Sequence, residues 1–193
     1  REIKAARQRL GIGEGGSLVV VVGHLRPEKG HRSLLEAHRL LRGGRTGDVH
    51  LAVVGGGPEE HELRRASGRD DHVHFLDHQD DVALWNAAAD VVAVPSLTES
   101  FGLVALEAMA MGKPIVGSNV EGLVEIISDD ETGSLIEPGN AVQLASALGE
   151  LLASPERRAA MGEAGRARYL ALFTRDRMVD GWIEVYEDAL RDG

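Results

Sequence analysis

Cysteine is absent from the 193-residue chain, which excludes disulfides and thiolate metal sites. No run approaches the ~18 apolar residues of a membrane span, and no signal-peptide pattern opens the sequence, so a soluble domain on the cytoplasmic side is expected. Positive charge is also short: 21 Lys and Arg against 31 Asp and Glu give a formal charge of −10. That balance argues against a general nucleic-acid binder, whose footprint is a basic face. It leaves room for an anionic small ligand held by a few local cations and helix N-termini. Internal repeats and low-complexity tracts are missing, and so is an initiator Met. The chain opens on Arg1, and REIKAARQRL reads as a helix or linker tail already under way, as in an excised or processed fragment.

What is present is an alternation. SLVVVVG at 17–23 is a short, continuous apolar run, the pattern of a strand buried on both faces. Residues 31–41 carry Leu34, Leu35, Ala37, His38, Leu40 and Leu41 at helical spacing and stop at Gly43 and Gly44. Strands follow at 49–57, 72–76, 91–95, 114–118 and 133–137, with helices expected at 58–66, 81–88, 100–111 and around 122–127. Six strands alternating with helices imply right-handed βαβ units, hence an α/β, doubly wound, Rossmann-like parallel six-stranded sheet with its ligand at the carboxyl ends of the strands. From Asn140 onward only helices are expected, at 141–152, 155–172 and 174–190. The last carries Met178, Trp182, Val185, Tyr186 and Ala189 on one face, which must pack either on this domain or on a neighbour. The divisions are thus 1–16 as the tail of a preceding region, 17–170 as the ligand-binding domain, and 171–193 as a C-terminal helix.

The most informative stretch is 95–114, PSLTESFGLVALEAMAMGKP. A buried helix is expected to start near Ser100 and end at Gly112, with Pro114 barring continuation. Its first backbone N–H groups lack internal partners and carry the positive end of the helix dipole, so they suit a phosphate. Glu99 stands beside that anion site, and Glu107 lies ~9 Å further along the helix. That separation suits a ligand with a diphosphate at one end and a ribose further on. Buried within an apolar helix, Glu107 would need a ligand or an internal cation.

Several other motifs fail on context. GIGEGG at 11–16 has dinucleotide-fingerprint spacing but precedes the first strand, and GKP at 112–114 lacks the rest of a P-loop. All eight His residues fall before position 79. His72 and His74 share a strand face, yet neither His-Glu-x-x-His spacing nor a carboxylate partner accompanies them, so surface or core histidines are expected and no metal site. No Asp-x-Asp pair occurs, which weakens any mechanism that holds a diphosphate through a divalent metal. By contrast, GHLRPEKG at 23–30 follows the first strand and gathers His24, Arg26 and Lys29 in one turn, three cations that could oppose a diphosphate.

VGHLRPEKG, VVGGGPE, VHFLDHQDD, ADVVAVPSLTESFGLVALEAMAMGKPIVGS and TGSLIEPGNAVQLASAL together resemble the C-terminal, donor-binding half of a group 1 (family 4 type) retaining glycosyltransferase of GT-B architecture, from about residue 17 to about 170. The most specific feature is the pair of glutamates at 99 and 107 with the intervening Phe-Gly-Leu. The resemblance implies that Glu99 and Lys29 are the catalytic pair, Glu99 holding donor-sugar hydroxyls and Lys29 the phosphates. It implies that backbone N–H groups of Phe101, Gly102 and Leu103 hold the distal phosphate, with Ser100 beside them, and that Glu107 binds the ribose. Leu76 to Gln79 would line the base pocket, and Gly122 would lie near the donor sugar. One departure stands out: His24 occupies the position where members carry Arg, which weakens diphosphate stabilisation or makes it pH-dependent unless Arg26 substitutes.

The activity implied is transfer of a hexose-type sugar from a UDP-, GDP- or ADP-sugar to a sugar or lipid-linked acceptor, without cofactor or metal. The acceptor-binding N-terminal domain lies outside this chain, any peripheral membrane association would run through it, and this portion alone is expected to be inactive. A non-catalytic nucleotide-sugar-binding or scaffolding module, or a GT-B epimerase or phosphorylase, is the alternative.

Overall fold

The computed structural model describes residues 1–44 and 47–191. The last two positions of the segment expected as a C-terminal helix, 192 and 193, lie outside the described residues. In chain order the elements are α1 (Glu2–Arg9), β1 (Ser17–Val22), a 3-10 turn (Pro27–Lys29), α2 (His31–Arg42), β2 (Val49–Val54), α3 (Glu60–Ser67), β3 (Val73–Leu76), α4 (Val82–Ala88), β4 (Val91–Val94), α5 (Leu103–Ala110), β5 (Ile115–Ser118), α6 (Glu121–Val124), β6 (Gly133–Ile136), α7 (Ala141–Ala153), α8 (Pro155–Leu172) and α9 (Arg175–Arg191).

All strand pairs are parallel, in the order β3-β2-β1-β4-β5-β6. The doubly wound sheet expected from the alternation is therefore present. Its winding reverses between β1 and β4, where Val19 pairs with Val91 and Val20 with Val92. The loops leaving β1 and β4 depart to opposite faces, and a crevice opens between them.

Both faces of the sheet are covered, which explains why β1 and β2 show no polar alternation. On one side Val19, Val21, Leu51 and Val53 pack with Leu34 and Leu41 of α2, Leu63 of α3, and Leu144, Leu148 and Leu151 of α7. On the other, Leu18, Val20, Ala52 and Val92 pack with Trp85 of α4, Ala105 and Met109 of α5, and Leu123 following α6's start. Side-chain caps set three helix starts: Asp81 accepts from the Leu84 N–H at 2.9 Å, Asn140 from Gln143 at 3.0 Å and Ser154 from Arg157 at 3.2 Å.

Residues 1–16 contribute to the same body. Ala6, Leu10 and Ile12 are buried in the second of these clusters. Arg7 donates to the Ala88 carbonyl at 2.8 Å, the Asp90 carboxylate at 3.0 Å and the Gly16 carbonyl at 2.6 Å. At the other terminus, packing of the last helix on this domain, one of the two fates expected for its apolar face, is not what the structure shows. No residue of α9 is buried, and Met178, Trp182, Val185 and Tyr186 are all exposed.

Candidate functional site

The loops after β1 and β4 meet at the reversal point, and a glycine permits it. Gly30 closes the 3-10 turn with φ 68, and a Cβ there would lie 1.9 Å from the Pro95 carbonyl oxygen, so no side chain fits between the two loops. The Leu97 N–H donates to the Glu28 carbonyl at 2.7 Å. This contact brings together two residues 70 apart in sequence: Lys29 Nζ donates to Glu99 Oε2 at 2.7 Å. The same Glu99 oxygen accepts from Ser96 Oγ at 3.1 Å, and Oε1 has no partner among the described residues. The Glu99 carbonyl is held in turn by the Gly122 N–H at 3.0 Å. A Cβ on Gly122 would stand 2.5 Å from that oxygen and 2.6 Å from the Phe101 nitrogen, so Gly122 acts by letting α6 abut the Glu99 loop.

The helix that follows starts later than the sequence suggests. Gly102, with φ 96, is the N-cap, and α5 begins at Leu103 instead of near Ser100. A left-handed residue cannot lie inside a right-handed helix, so Ser100 and Phe101 belong to the exposed loop. The N–H groups of 101–104 donate to no backbone carbonyl among the described residues. They form an unfilled donor cluster beside the Lys29–Glu99 pair, and the helix dipole adds partial positive charge.

Glu107 also requires a correction. Neither a buried position nor, among the described residues, an internal cation is found: α5 buries Ala105, Leu106, Ala108 and Met109 against the sheet and leaves Leu103 and Glu107 exposed, with Met111 just past its end exposed four residues further on. Glu107 faces a groove of about 550 Å³ whose other walls include Asp81, Val82, Tyr169 and Phe173. Partial desolvation there pushes its carboxyl above the usual range, and no ion pair opposes the shift among the described residues.

A second hollow of about 290 Å³ lies between Gly23, His24, Gly55, Gly56, His78 and Gln79, and Val82 lines both spaces. Gln79 is fixed there, accepting from Trp85 Nε1 at 3.3 Å. Leu76 does not line it; its half-buried side chain packs on the core beneath. His24 and Arg26 are exposed on either side of the buried Leu25. The carboxylate nearest Arg26 is Glu28, at 4.0 Å.

A family model described as "Glycosyl transferases group 1" matches residues 2–168. The chain belongs to this family. It is 40% identical to a D-inositol 3-phosphate glycosyltransferase of Salinispora arenicola, over 96% of this chain and 44% of that protein. It is 38% identical to a GDP-mannose-dependent alpha-(1-6)-phosphatidylinositol monomannoside mannosyltransferase of Mycolicibacterium smegmatis, over 83% of this chain and 44% of that one. The chain thus spans less than half the length of either relative. Among solved structures, Anabaena Alr3699/HepE in complex with UDP superposes with a TM-score of 0.87 at 26% identity, over 97% of this chain and 52% of that one. The fold is that of one GT-B half.

In this member of the group 1 family the sequence reading overlooked Ser96, which is buried and orients Glu99. The only signal for it was its place three residues before the glutamate. His31, first residue of α2, was also overlooked. It is 2% exposed, and neither ring nitrogen has a hydrogen-bond partner among the described residues. Burial lowers its pKa to about 4, which the neighbouring Glu59 carboxylate only partly opposes. It is a neutral imidazole beneath the Lys29 turn.

Proposed function

We propose that this domain binds the nucleoside-diphosphate-sugar donor of a retaining hexosyltransferase and supplies the charges on which the diphosphate departs. The observation that carries this reading is the Lys29–Glu99 pair, 2.7 Å apart at the reversal point and flanked by the open N–H groups of 101–104. A diphosphate seated there meets an ammonium and oriented backbone dipoles where negative charge grows as the sugar leaves. Such stabilisation needs no divalent metal, in keeping with the absence of an Asp-x-Asp pair. Glu99, fixed through Oε2, offers Oε1 to a donor-sugar hydroxyl.

From this centre the nucleoside extends toward Val82. The hollow at His24 and Gln79 takes the base, and Glu107 accepts from the ribose hydroxyls at the mouth of its groove. In the transfer step the anomeric C–O bond breaks with its electron pair passing to the distal phosphate oxygen. The acceptor oxygen bonds on the same face, and its proton goes to the departing diphosphate. The solved HepE complexes with UDP and with UDP-glucose, and the GDP-mannose-dependent relative, favour uridine or guanosine donors. The acceptor half lies in the part of those proteins that this chain does not span, and the exposed apolar face of α9 packs against it.

Calorimetric titration with UDP-, GDP- and ADP-sugars tests the reading. One of them is expected to bind, and Glu107→Ala should weaken it about tenfold, the loss of one charge-assisted hydrogen-bond set. Affinity unchanged in Glu107→Ala would remove the ribose assignment, and no binding to any donor would favour a scaffolding role. Turnover by these 193 residues alone would show that the second half is dispensable.

A further inference from the structure

At the opposite rim of the sheet, where β2 and β3 begin, three histidines and two aspartates converge. His50 Nε2 lies 3.2 Å and His72 Nε2 3.0 Å from the same oxygen, Asp48 Oδ1. For His72 the shared carboxylate is remote in sequence, so spacing does not disclose it. It comes from the residue preceding β2, brought beside His72 when β2 and β3 pair through Leu51 and Val73.

The outer contacts point to the same centre. His50 Nδ1 is 3.0 Å from His74 Nε2, and His72 Nδ1 is 3.5 Å from Asp70 Oδ1. Asp70 is itself paired with Arg42 and accepts from the His72 N–H at 3.0 Å. With His50 Nδ1–H donating to His74, the His50 Nε2 lone pair faces inward, the arrangement in which an imidazole is held ready for a metal, and Asp70 lies on the Nδ1 side of His72. His50 Nε2 is fully shielded from water and, despite its 3.2 Å approach, makes no hydrogen bond of acceptable angle to Asp48. The His50 side chain is only 7% exposed. An unpartnered buried nitrogen facing a carboxylate oxygen and a second nitrogen is costly unless a cation lies between them.

We infer that Asp48, His50 and His72 form a binding site for a divalent transition metal of the zinc type, one that clamps the edge strand β3 to β2. Donor atoms of a tetrahedral zinc site stand ~3.3 Å apart for bonds of ~2.0–2.1 Å, and the two measured separations are within a few tenths of that. Two imidazoles and one carboxylate favour zinc, cobalt or nickel over calcium or magnesium. Asp48 is half exposed, so the remaining coordination position is open to water. The site is on the far rim from Lys29 and Glu99, so its role is to staple an edge strand that has only one neighbour in the sheet.

The test uses the full chain without a histidine tag, stripped of metal and titrated with Zn²⁺ and Co²⁺. One equivalent is expected to bind, with a rise in Tm, visible Co²⁺ absorption and slowed amide exchange across 73–76. Asp48→Asn and His72→Ala should each weaken binding by about 100-fold or more, since even outer-sphere partners are worth 10–100-fold. His61→Ala, at an exposed histidine outside the cluster, should bind as wild type. Asp48→Asn changes a partly exposed side chain, so it keeps the test decisive should His72→Ala fail to fold. Absence of a Tm rise at a modest excess of Zn²⁺, unchanged affinity in both ligand variants, or an equal response to Mg²⁺ would each overturn the proposal.

Discussion

The two rims of the sheet use the same residue types differently. At the amino ends of β1 and β4, Arg7 and Asp90 spend their charges on structure. Asp90 Oδ2 accepts from Arg7 and, at 2.7 Å, from the Leu18 N–H, and Lys113 Nζ donates to the Ala89 carbonyl at 2.9 Å. At the carboxyl ends, Lys29 and Glu99 satisfy each other but remain partly open at 31% and 15% side-chain exposure, and four backbone N–H groups beside them have no backbone partner among the described residues. The lesson is that a charged pair marks a ligand site when it sits among unfilled donors, and an anchor when it sits on backbone that it completes.

Substitutions that separate the rims can break this contrast. Gly30→Ala should have the largest effect, about 4 kcal/mol or more of lost stability in urea denaturation, because its Cβ collides with the Pro95 carbonyl. Loss of donor binding should accompany it.

Acid should act next, through His31. Its folded pKa of about 4 lies below the unfolded value of 6.5, so the unfolded chain binds more protons between those limits. Stability from this group is therefore complete above pH 6.5 and falls as pH drops toward 4, by roughly 3 kcal/mol. Subtracting the pH profile of His31→Gln, which cannot titrate, isolates that contribution from those of the other histidines. A difference profile that is flat across this window would show His31 to be solvated.

Lys29→Ala is expected to weaken donor binding about 30-fold, or ~2 kcal/mol, with a small change in Tm. A fall in Tm without loss of affinity would turn Lys29 into an anchor and erase the contrast. Asp90→Asn should do the reverse and cost about 1 kcal/mol with donor affinity intact in calorimetry.

Legibility in the sequence followed the range of the interactions. The strand SLVVVV, the sixfold alternation and the start of the helix at Pro155 are local, and the structure has them. The start of α5 was placed three residues early because the decisive fact is the backbone angle at Gly102, and a glycine in a Ser-Phe-Gly-Leu run does not disclose its φ. Glu107 was expected to be buried because its neighbours are apolar. Which side of an eight-residue helix meets the sheet depends on the strands beneath it. His72 and Asp48 looked unrelated, since only the β2–β3 register joins them. Lys29 and Glu99 could each be singled out, but their 2.7 Å contact depends on β1 lying beside β4.

The crossing of Gly30 over Pro95 has a consequence for the speed of recognition. With Leu97 hydrogen-bonded to the Glu28 carbonyl across the same junction, the loops after β1 and β4 are fastened into a single piece and cannot open independently. An arriving ligand meets a wall already in its final shape, so its capture has no internal rearrangement to await. Stopped-flow traces should be single exponentials whose rate rises linearly with ligand concentration and does not level off.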